Sequence, residues 1–286
     1  MKLMWRKYSF LFIAIFFLQS CHSSAQKLQD SRLNEVSGLV VSSKSDDLIW
    51  VHNDSGDEGR IFLINKKGAT QAVYIFADQV IDCEAIAIGT SANGLREIFV
   101  GDIGDNDNER DFISIYKFPE PNINTKSNKE IIIKKVEELK FKYPDGARDA
   151  ECLMIDPIDQ KIYIVSKREN SVGVYSAPLN SKAGKLITLK KETTLFFNAP
   201  KSAKWITDGS ISLDGKSIMI KSYINIYYWE RRGKETLAQC FKQKLIGLPY
   251  DPEPQGEALG FTHDAKRYYS ISEGKYAEIN YKIIKK

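Results

Sequence analysis

A short phrase recurs five times along the chain and restricts its fold more than any other feature of the sequence. Most copies open with polar or acidic residues, continue with a small residue and end in an apolar run. The copies are E-V-S-G-L-V-V from Glu35, D-C-E-A-I-A-I from Asp82, D-A-E-C-L-M-I from Asp149, I-T-D-G-S-I-S from Ile206 and Q-G-E-A-L-G-F from Gln255. Their third positions are separated by 47, 67, 57 and 49 residues, which indicates a repeated supersecondary unit.

Each phrase is followed by a turn and by further short strand patterns. Runs of four or five β-branched and aromatic residues, such as 48–51 and 161–165, alternate with turn residues, whereas long helical periodicity is scarce. Units of three or four strands predict an all-β protein that is a single β-propeller, which a flat β-sandwich would not explain. Five blades are expected, or six if residues 119–145 hide a degenerate one.

The last unit is too short for a complete four-stranded blade. It has about thirty residues, enough for three strands, whereas residues 26–33 precede the first phrase and belong to no unit. We therefore expect this N-terminal segment to supply the outer strand of the last blade. Such a strand closes the ring and covers an open sheet edge.

The N-terminus has the pattern of a secretory signal peptide. Three basic residues precede residues 10–18, an unbroken apolar run of nine residues that is too short to span a bilayer. L-Q-S-C (18–21) follows and is similar to a bacterial lipobox, so we expect a signal peptide over residues 1–20, lipidation of Cys21 and a propeller over residues 26–286. Cleavage after Ala25, which would give a soluble secreted protein, is the alternative.

Removal of the signal peptide leaves a chain that is close to neutral. Three of the 41 Lys and Arg residues lie within it, so 38 face 37 acidic residues in the mature chain. A chain with this balance has no excess of basic residues to bind the phosphates of nucleic acid, so no nucleic-acid partner is expected. The predicted location is the bacterial envelope, where the lipid on Cys21 would attach a monomer to the membrane on its periplasmic or its surface face.

Acids occupy the third position in four of the five phrases. Because the first strand of a propeller blade lies nearest the axis, these side chains are expected to converge on one small space. The expected metal ligands are Glu84, Glu151, Asp208, Glu257 and Glu35. Clustered carboxylates need protons, cationic partners or a metal ion, and a ligand set of oxygens favours Ca²⁺. A pure ion-pair network with Arg148, Lys167, Lys204 and Lys221 is the alternative.

Further polar residues are expected around this site, as additional ligands or as ligand-binding groups. They come from the first positions of the phrases and from two polar loops, 52–60 and 101–110, that open at the same end of the ring. They are Asp82, Asp149, Asp54, Asp102, Asp105, Arg148 and Lys167. Residues 105–109, D-N-D-N-E, have the alternating oxygens of an EF-hand loop but not its glycine or terminal glutamate, which predicts a plain Asn/Asp turn.

The phrases S-G-L, E-A-I and E-A-L near the start of the predicted inner strands resemble those of the SdiA-regulated, YjiK-like bacterial propellers. They resemble more distantly the NHL-repeat and the esterase-like phytase propellers. The resemblance covers most of residues 27–286 and implies a five-bladed propeller with a bound calcium ion. Where the family pattern has an acid, this chain keeps Glu84, Glu151 and Glu257, but it has Ser37 in the first blade and the shorter Asp208 in the fourth.

The sequence favours a binding or scaffold module over an enzyme, without deciding between them. It contains no G-x-S-x-G, H-E-x-x-H, P-loop or dinucleotide-binding motif. The partner of a binding module, whether a small molecule, a glycan or a protein, is not specified. The alternative is a metal-dependent esterase, lactonase or phosphoesterase, in which the cation would polarise the substrate and activate water.

Overall fold

The computed structural model describes residues 26–91, 94–123 and 129–285. The expected signal peptide (1–20), the lipidation residue Cys21 and the alternative cleavage site after Ala25 lie outside these ranges. Of the two short helices in the described part of the chain, neither is a candidate to cross a membrane.

The described residues form an all-β structure whose elements follow the repeated phrase. A short strand β1 (Gln26–Lys27) comes first. Blade 1 contains β2 (Val36–Val41), β3 (Leu48–Asn53), β4 (Gly59–Asn65) and β5 (Thr70–Ala77). Next along the chain come β6 (Cys83–Thr90), β7 (Arg96–Asp102), β8 (Ile113–Pro119), β9 (Ile131–Ile132) and β10 (Glu137–Lys142). Blade 2 is β6, β7, β8 and β10.

The second half of the chain repeats the arrangement three times. It begins with β11 (Ala150–Asp156), β12 (Lys161–Ser166), β13 (Ser171–Pro178), β14 (Leu186–Thr188) and β15 (Lys190–Phe196). A 3₁₀ helix (Ser202–Lys204) leads to β16 (Ile206–Ile211), β17 (Ser217–Ser222), β18 (Ile226–Glu230), helix α1 (Leu237–Cys240) and β19 (Ile246–Leu248). The last strands are β20 (Gly256–Phe261), β21 (Arg267–Ser272) and β22 (Glu278–Ile283).

Five blades surround a common axis, as the repeat predicts. Blade 3 is β11, β12, β13 and β15, blade 4 is β16 to β19, and blade 5 is β20, β21, β22 and β1. The first strand of every blade, which we call the inner strand, contacts the inner strands of both neighbouring blades. The long interval 119–145 forms no sixth blade in its described residues, because β10 is the fourth strand of blade 2 and β9 pairs in parallel with β5 of blade 1.

The hydrophobic core consists of five separate layers, one between each pair of neighbouring blades. Side chains of one strand alternate between two layers, because successive residues of a strand face opposite sides of the sheet. On β18, Tyr227 and Trp229 pack in the layer between blades 3 and 4, whereas Tyr228 packs between blades 4 and 5. These aromatic residues therefore hold neighbouring blades together.

The N-terminal segment closes the ring at the outer edge of blade 5, as expected. β1 pairs antiparallel with β22, with Gln26 opposite Ile279 and Lys27 opposite Glu278. Leu28 and Leu33, which follow β1, are buried in the layer between blades 5 and 1. The segment also passes over the turn at Gly68, whose carbonyl accepts a 2.9 Å hydrogen bond from the Gln29 amide. Closure therefore depends on both hydrogen bonding and apolar burial.

Gly68 offers a test of this closure. Its φ is +84° and an added Cβ would overlap the backbone of Lys27, whereas Gly184 has φ +82° and open space around it. We expect both G68A and G184A to lower the free energy of unfolding, by about 1 kcal/mol for the left-handed conformation alone. G68A should cost clearly more, because it also displaces the N-terminal segment. Urea unfolding of both variants measures the difference, and equal losses would show that the segment contributes little.

Candidate metal centre

A β-bulge interrupts each inner strand near its start. In the antiparallel pairing between the first and second strands of each blade, one residue of the first strand is left out of the register. It lies between Val36 and Gly38 in β2 and between Cys83 and Ala85 in β6, and the other three blades show the same shift. The skipped residues are Ser37, Glu84, Glu151, Thr207 and Glu257. A bulge redirects a side chain away from the regular alternation of a strand, and here it does so once in every blade.

Three of the five bulge residues bring their carboxylates together. Glu84, Glu151 and Glu257 each offer an oxygen, and these oxygens lie within 4.8 Å of one another. Their side chains come from blades 2, 3 and 5 and are only 2–3% exposed. We call them the central carboxylate group. Negative charges that are this close together and this deeply buried repel one another, so they must be neutralised by protons or by a cation.

Neighbouring residues satisfy part of the group but not all of it. The ammonium of Lys167, directly after β12, forms an ion pair with Glu151 Oε1. The Tyr223 hydroxyl, in the turn after β17, donates to Glu257 Oε1 at 2.9 Å, and Ser37 Oγ donates to Glu84 Oε2 at 2.8 Å. Glu151 Oε2 is buried and has no hydrogen-bond partner among the described residues. This oxygen therefore lacks the partner that a buried charged atom ordinarily has.

A second group of acids shares Glu84 with the first. Asp54 directly follows β3, and Asp82 directly precedes β6. Each offers a carboxylate oxygen, and these two oxygens and one of Glu84 all lie within 4.8 Å of one another. We call Asp54, Asp82 and Glu84 the mouth group. Asp82 is 8% exposed and Asp54 is half-buried. Asp82 also lines a cavity of about 320 Å³, so this group lies nearer to solvent than the central one.

The environment of these acids favours their protonated forms when no cation is present. Burial raises the pKa of Asp82 to about 7, with further contributions from the negative charges of Asp54 and Asp149. Burial, followed by the charges of Asp54 and Asp82, also raises the pKa of Glu84. The pKa of Glu273, in the turn after β21, is raised to about 8 by burial and by Glu257. The environment therefore favours the retention of protons on Asp82 and Glu273 near neutral pH.

The structure places Asp208 differently from the sequence alignment. In blade 4 the bulge falls on Thr207, and Asp208 stands where the other blades have Gly38, Ala85, Cys152 and Ala258. Its buried carboxylate accepts hydrogen bonds from the backbone amides of Gly209 at 2.7 Å and Leu259 at 2.6 Å. Leu259 belongs to β20, so Asp208 links two inner strands and is not a member of either acid group.

The other residues predicted from the sequence are not part of the two acid groups. Glu35 is exposed, and its carbonyl accepts a hydrogen bond from the Asp54 amide. Asp102 accepts hydrogen bonds from Arg110 and from two backbone amides, and Asp149 pairs with Arg168. Asp105 accepts from the amides of Glu109 and Arg110, which is the plain turn that the sequence predicts.

The basic residues proposed for an ion-pair network also have different roles. Arg148 pairs with Asp145 and Glu169, Lys204 bonds to Asn170 and Lys221 lies 3.8 Å from Glu253. Among the described residues, Lys167 alone of these four forms an ion pair with the central carboxylate group. One ammonium does not balance three carboxylates, so ion pairing within the chain compensates the group only in part.

Four residues at this site were not predicted as functional from the sequence: Ser37, Thr207, Tyr223 and Gly104. Ser37 already stands at the third position of its phrase, whereas Thr207 is found from the repeat only once the position of the bulge in blade 4 is known. Gly104 carries no signal of its own, but an added Cβ there would lie 2.8 Å from Glu84 Cγ and would also overlap the Asp82 carboxyl. The glycine thus allows the loop after β7 to lie directly against both acids.

The role of Asp208 can be tested by its removal. We expect D208A to lower the free energy of unfolding by about 2 kcal/mol or more, because two buried amides lose their acceptor. The exposed Asp111 provides the control, and D111A should change stability by less than about 0.5 kcal/mol. Chemical denaturation measures both effects. A D208A protein of unchanged stability would show that this carboxylate does not link blades 4 and 5.

Comparisons with known proteins do not assign this chain to a family. No protein-family model matches it, and no curated protein matches it. Among solved structures, it is similar to one described as "Crystal structure of Nidogen/Laminin Complex", with a TM-score of 0.46 and 11% sequence identity. The match covers 84% of this chain and 73% of that chain. This likeness is too distant to carry an argument about what the chain binds.

Proposed function

We propose that this protein is an exported β-propeller that binds Ca²⁺ in its central carboxylate group and acts as a binding or scaffold module. The observation that carries the proposal is Glu151 Oε2, a buried carboxylate oxygen with no hydrogen-bond partner among the described residues. A cation within reach of the three glutamates supplies the missing partner and removes the repulsion between them.

The donor set determines the kind of cation. The group offers carboxylate oxygens, with the Ser37 and Tyr223 hydroxyls beside them and no imidazole or thiol among its members. Hard oxygen donors favour Ca²⁺ or Mg²⁺, and donors from three separate blades suit the flexible geometry of Ca²⁺ better than the strict octahedron of Mg²⁺. With all three glutamates ionised and Lys167 protonated, one divalent cation neutralises the group.

The burial of the central group favours a structural role for its cation. A catalytic metal keeps an open position that a substrate can reach, whereas a structural metal is enclosed by protein ligands. Glu84, Glu151 and Glu257 are almost completely buried. A cation held by them therefore joins blades 2, 3 and 5 and stiffens the ring, which then presents its surface loops to a partner.

Export and attachment to the bacterial envelope are part of the proposal. They are supported by the signal-peptide pattern and the lipobox at Cys21, with cleavage after Ala25 as the alternative. The repeated phrases and the five blades support membership of the SdiA-regulated group of propellers. The partner is a small molecule, a glycan or a protein rather than a nucleic acid, since the mature chain is almost neutral.

Loss of the central acids tests the proposal. We expect wild-type protein, purified without chelator, to contain at least one calcium ion per chain and to melt at a lower temperature in EDTA. At a free Ca²⁺ concentration 100 times the Kd, binding stabilises a protein by about 2.7 kcal/mol. The double variant E84Q/E151Q should lose this Ca²⁺-dependent stabilisation. E35Q should keep it, because Glu35 is an exposed acid that belongs to neither acid group. Identical melting of wild type with and without EDTA would refute the proposal.

A hydrolase is the second candidate function, and one observation favours it. Asp82 belongs to the mouth group and also lines the 320 Å³ cavity, together with Arg110 and the loop 104–107. A cation held there is within reach of a small ester, lactone or phosphoester, and a carboxylate beside it can accept a proton from water. We expect any Ca²⁺-dependent turnover of such substrates to disappear in D82N. Turnover that survives this substitution would exclude the mouth group as its source.

A further inference from the structure

Glu84 belongs to both acid groups and is therefore placed to contact two cations. It offers an oxygen within 4.8 Å of oxygens of Glu151 and Glu257 in the central group, and an oxygen within 4.8 Å of oxygens of Asp54 and Asp82 in the mouth group. A carboxylate has two oxygens and can serve two metal ions at once. The central and mouth groups thus form a continuous set of five acids with Glu84 in the middle.

The Asp82 carboxylate is buried and lacks the donors that neighbouring acids have. Among the described residues, no N–H or hydroxyl group donates to it, and the polar group that it meets is the Asp54 carboxyl. Asp102, which lies opposite Cys83 in the same blade, instead accepts from Arg110 at 2.7 Å and from the amides of Ile81 and Asp82. Asp102 therefore has a hydrogen-bond donor for each of its oxygens, whereas the Asp82 carboxylate faces the Asp54 carboxyl, which is itself an acceptor.

The backbone around Asp82 leaves room for the Asp82 and Glu84 carboxylates beside the loop after β7. Gly104 N donates to the Asp82 carbonyl at 3.1 Å, which fixes the loop after β7 against the start of β6. Because Gly104 has no side chain, the loop approaches both Asp82 and Glu84, and an added Cβ would collide with them. Arg110 Nη1 donates to Asp102 and to the Gly104 carbonyl, whereas its Nε and Nη2 are buried without a hydrogen-bond partner among the described residues, so no hydrogen bond of this guanidinium goes to Asp82.

We propose that the mouth group of Asp54, Asp82 and Glu84 is a second divalent-cation site, bridged by Glu84 to the central one. The proposal rests on the proposed function, because a shared Glu84 requires a cation at the central group. Asp54 and Asp82 add two negative charges to those of the central group, which a second divalent cation neutralises. Asp82 lines an open cavity, so the outer ion exchanges with solvent more readily than the enclosed inner ion.

The number of bound ions tests this inference. Wild-type protein, stripped with EDTA and equilibrated with CaCl₂, is expected to bind two ions per chain by plasma mass spectrometry and two by calorimetric titration. D82N should bind one, because an amide removes a charge and an anionic ligand from the mouth group. D107N is the matched control and should keep both ions, since Asp107 is an exposed acid that lines the same cavity.

Each result separates the second site from the first. One ion in wild type, unchanged in D82N, would overturn the second site and leave the central one intact. Two ions retained in D82N would also overturn it, and no ion in wild type would refute both. D82N should melt no lower than wild type in EDTA, because an uncharged amide of the same shape does not repel Asp54 and Glu84. If D82N does not fold, D54N, at the half-buried end of the group, replaces it and should likewise reduce two ions to one.

Discussion

The structure depends on the meeting of five strand edges at one axis. Each inner strand pairs on one side with its own blade and contacts two other inner strands. A bulge in every inner strand turns one residue per blade out of the regular pairing. The residue at the bulge therefore decides the chemistry of the centre, and here it is a glutamate in three blades and a hydroxyl residue in two.

The acids around the axis differ in how their charge is compensated. Asp208 is held by two backbone amides, Asp149 by Arg168, and Asp156, deeper between blades 3 and 4, by a fully buried Arg231. Such acids serve the fold, since each has a partner within the chain. Glu151 Oε2 is different because it is buried without a hydrogen-bond partner among the described residues, and the Asp82 carboxyl is different because it faces the carboxyl of Asp54. The distinction between structural and functional acids rests on these contacts and not on residue type.

Much of the fold was predictable because the same physical unit recurs along the sequence. The five phrases predicted five blades, and the unassigned residues 26–33 predicted the closing strand. Three of the five expected ligands, Glu84, Glu151 and Glu257, do lie together. The assignment in blade 4 was off by one residue, because a bulge inserts a residue without changing the hydrophobic pattern and T-D-G can be aligned in two ways. Lys167 and Tyr223 reach the site from turns, and sequence does not specify where a turn places a side chain.

The pairing of β1 with β22 has a consequence for the order in which the ring can form. Gln26 and Ile279 come from opposite ends of the described chain, so blade 5 is completed only after its last strand is available. Contacts of such long sequence separation form slowly, because loop closure must precede any gain from them. Glu84 of blade 2 and Glu257 of blade 5 contribute to the same group of carboxylates, although blade 1 lies between them in the ring. The central carboxylate group therefore exists only in the closed ring, and a cation bound there selects the fully assembled state over every partly folded one.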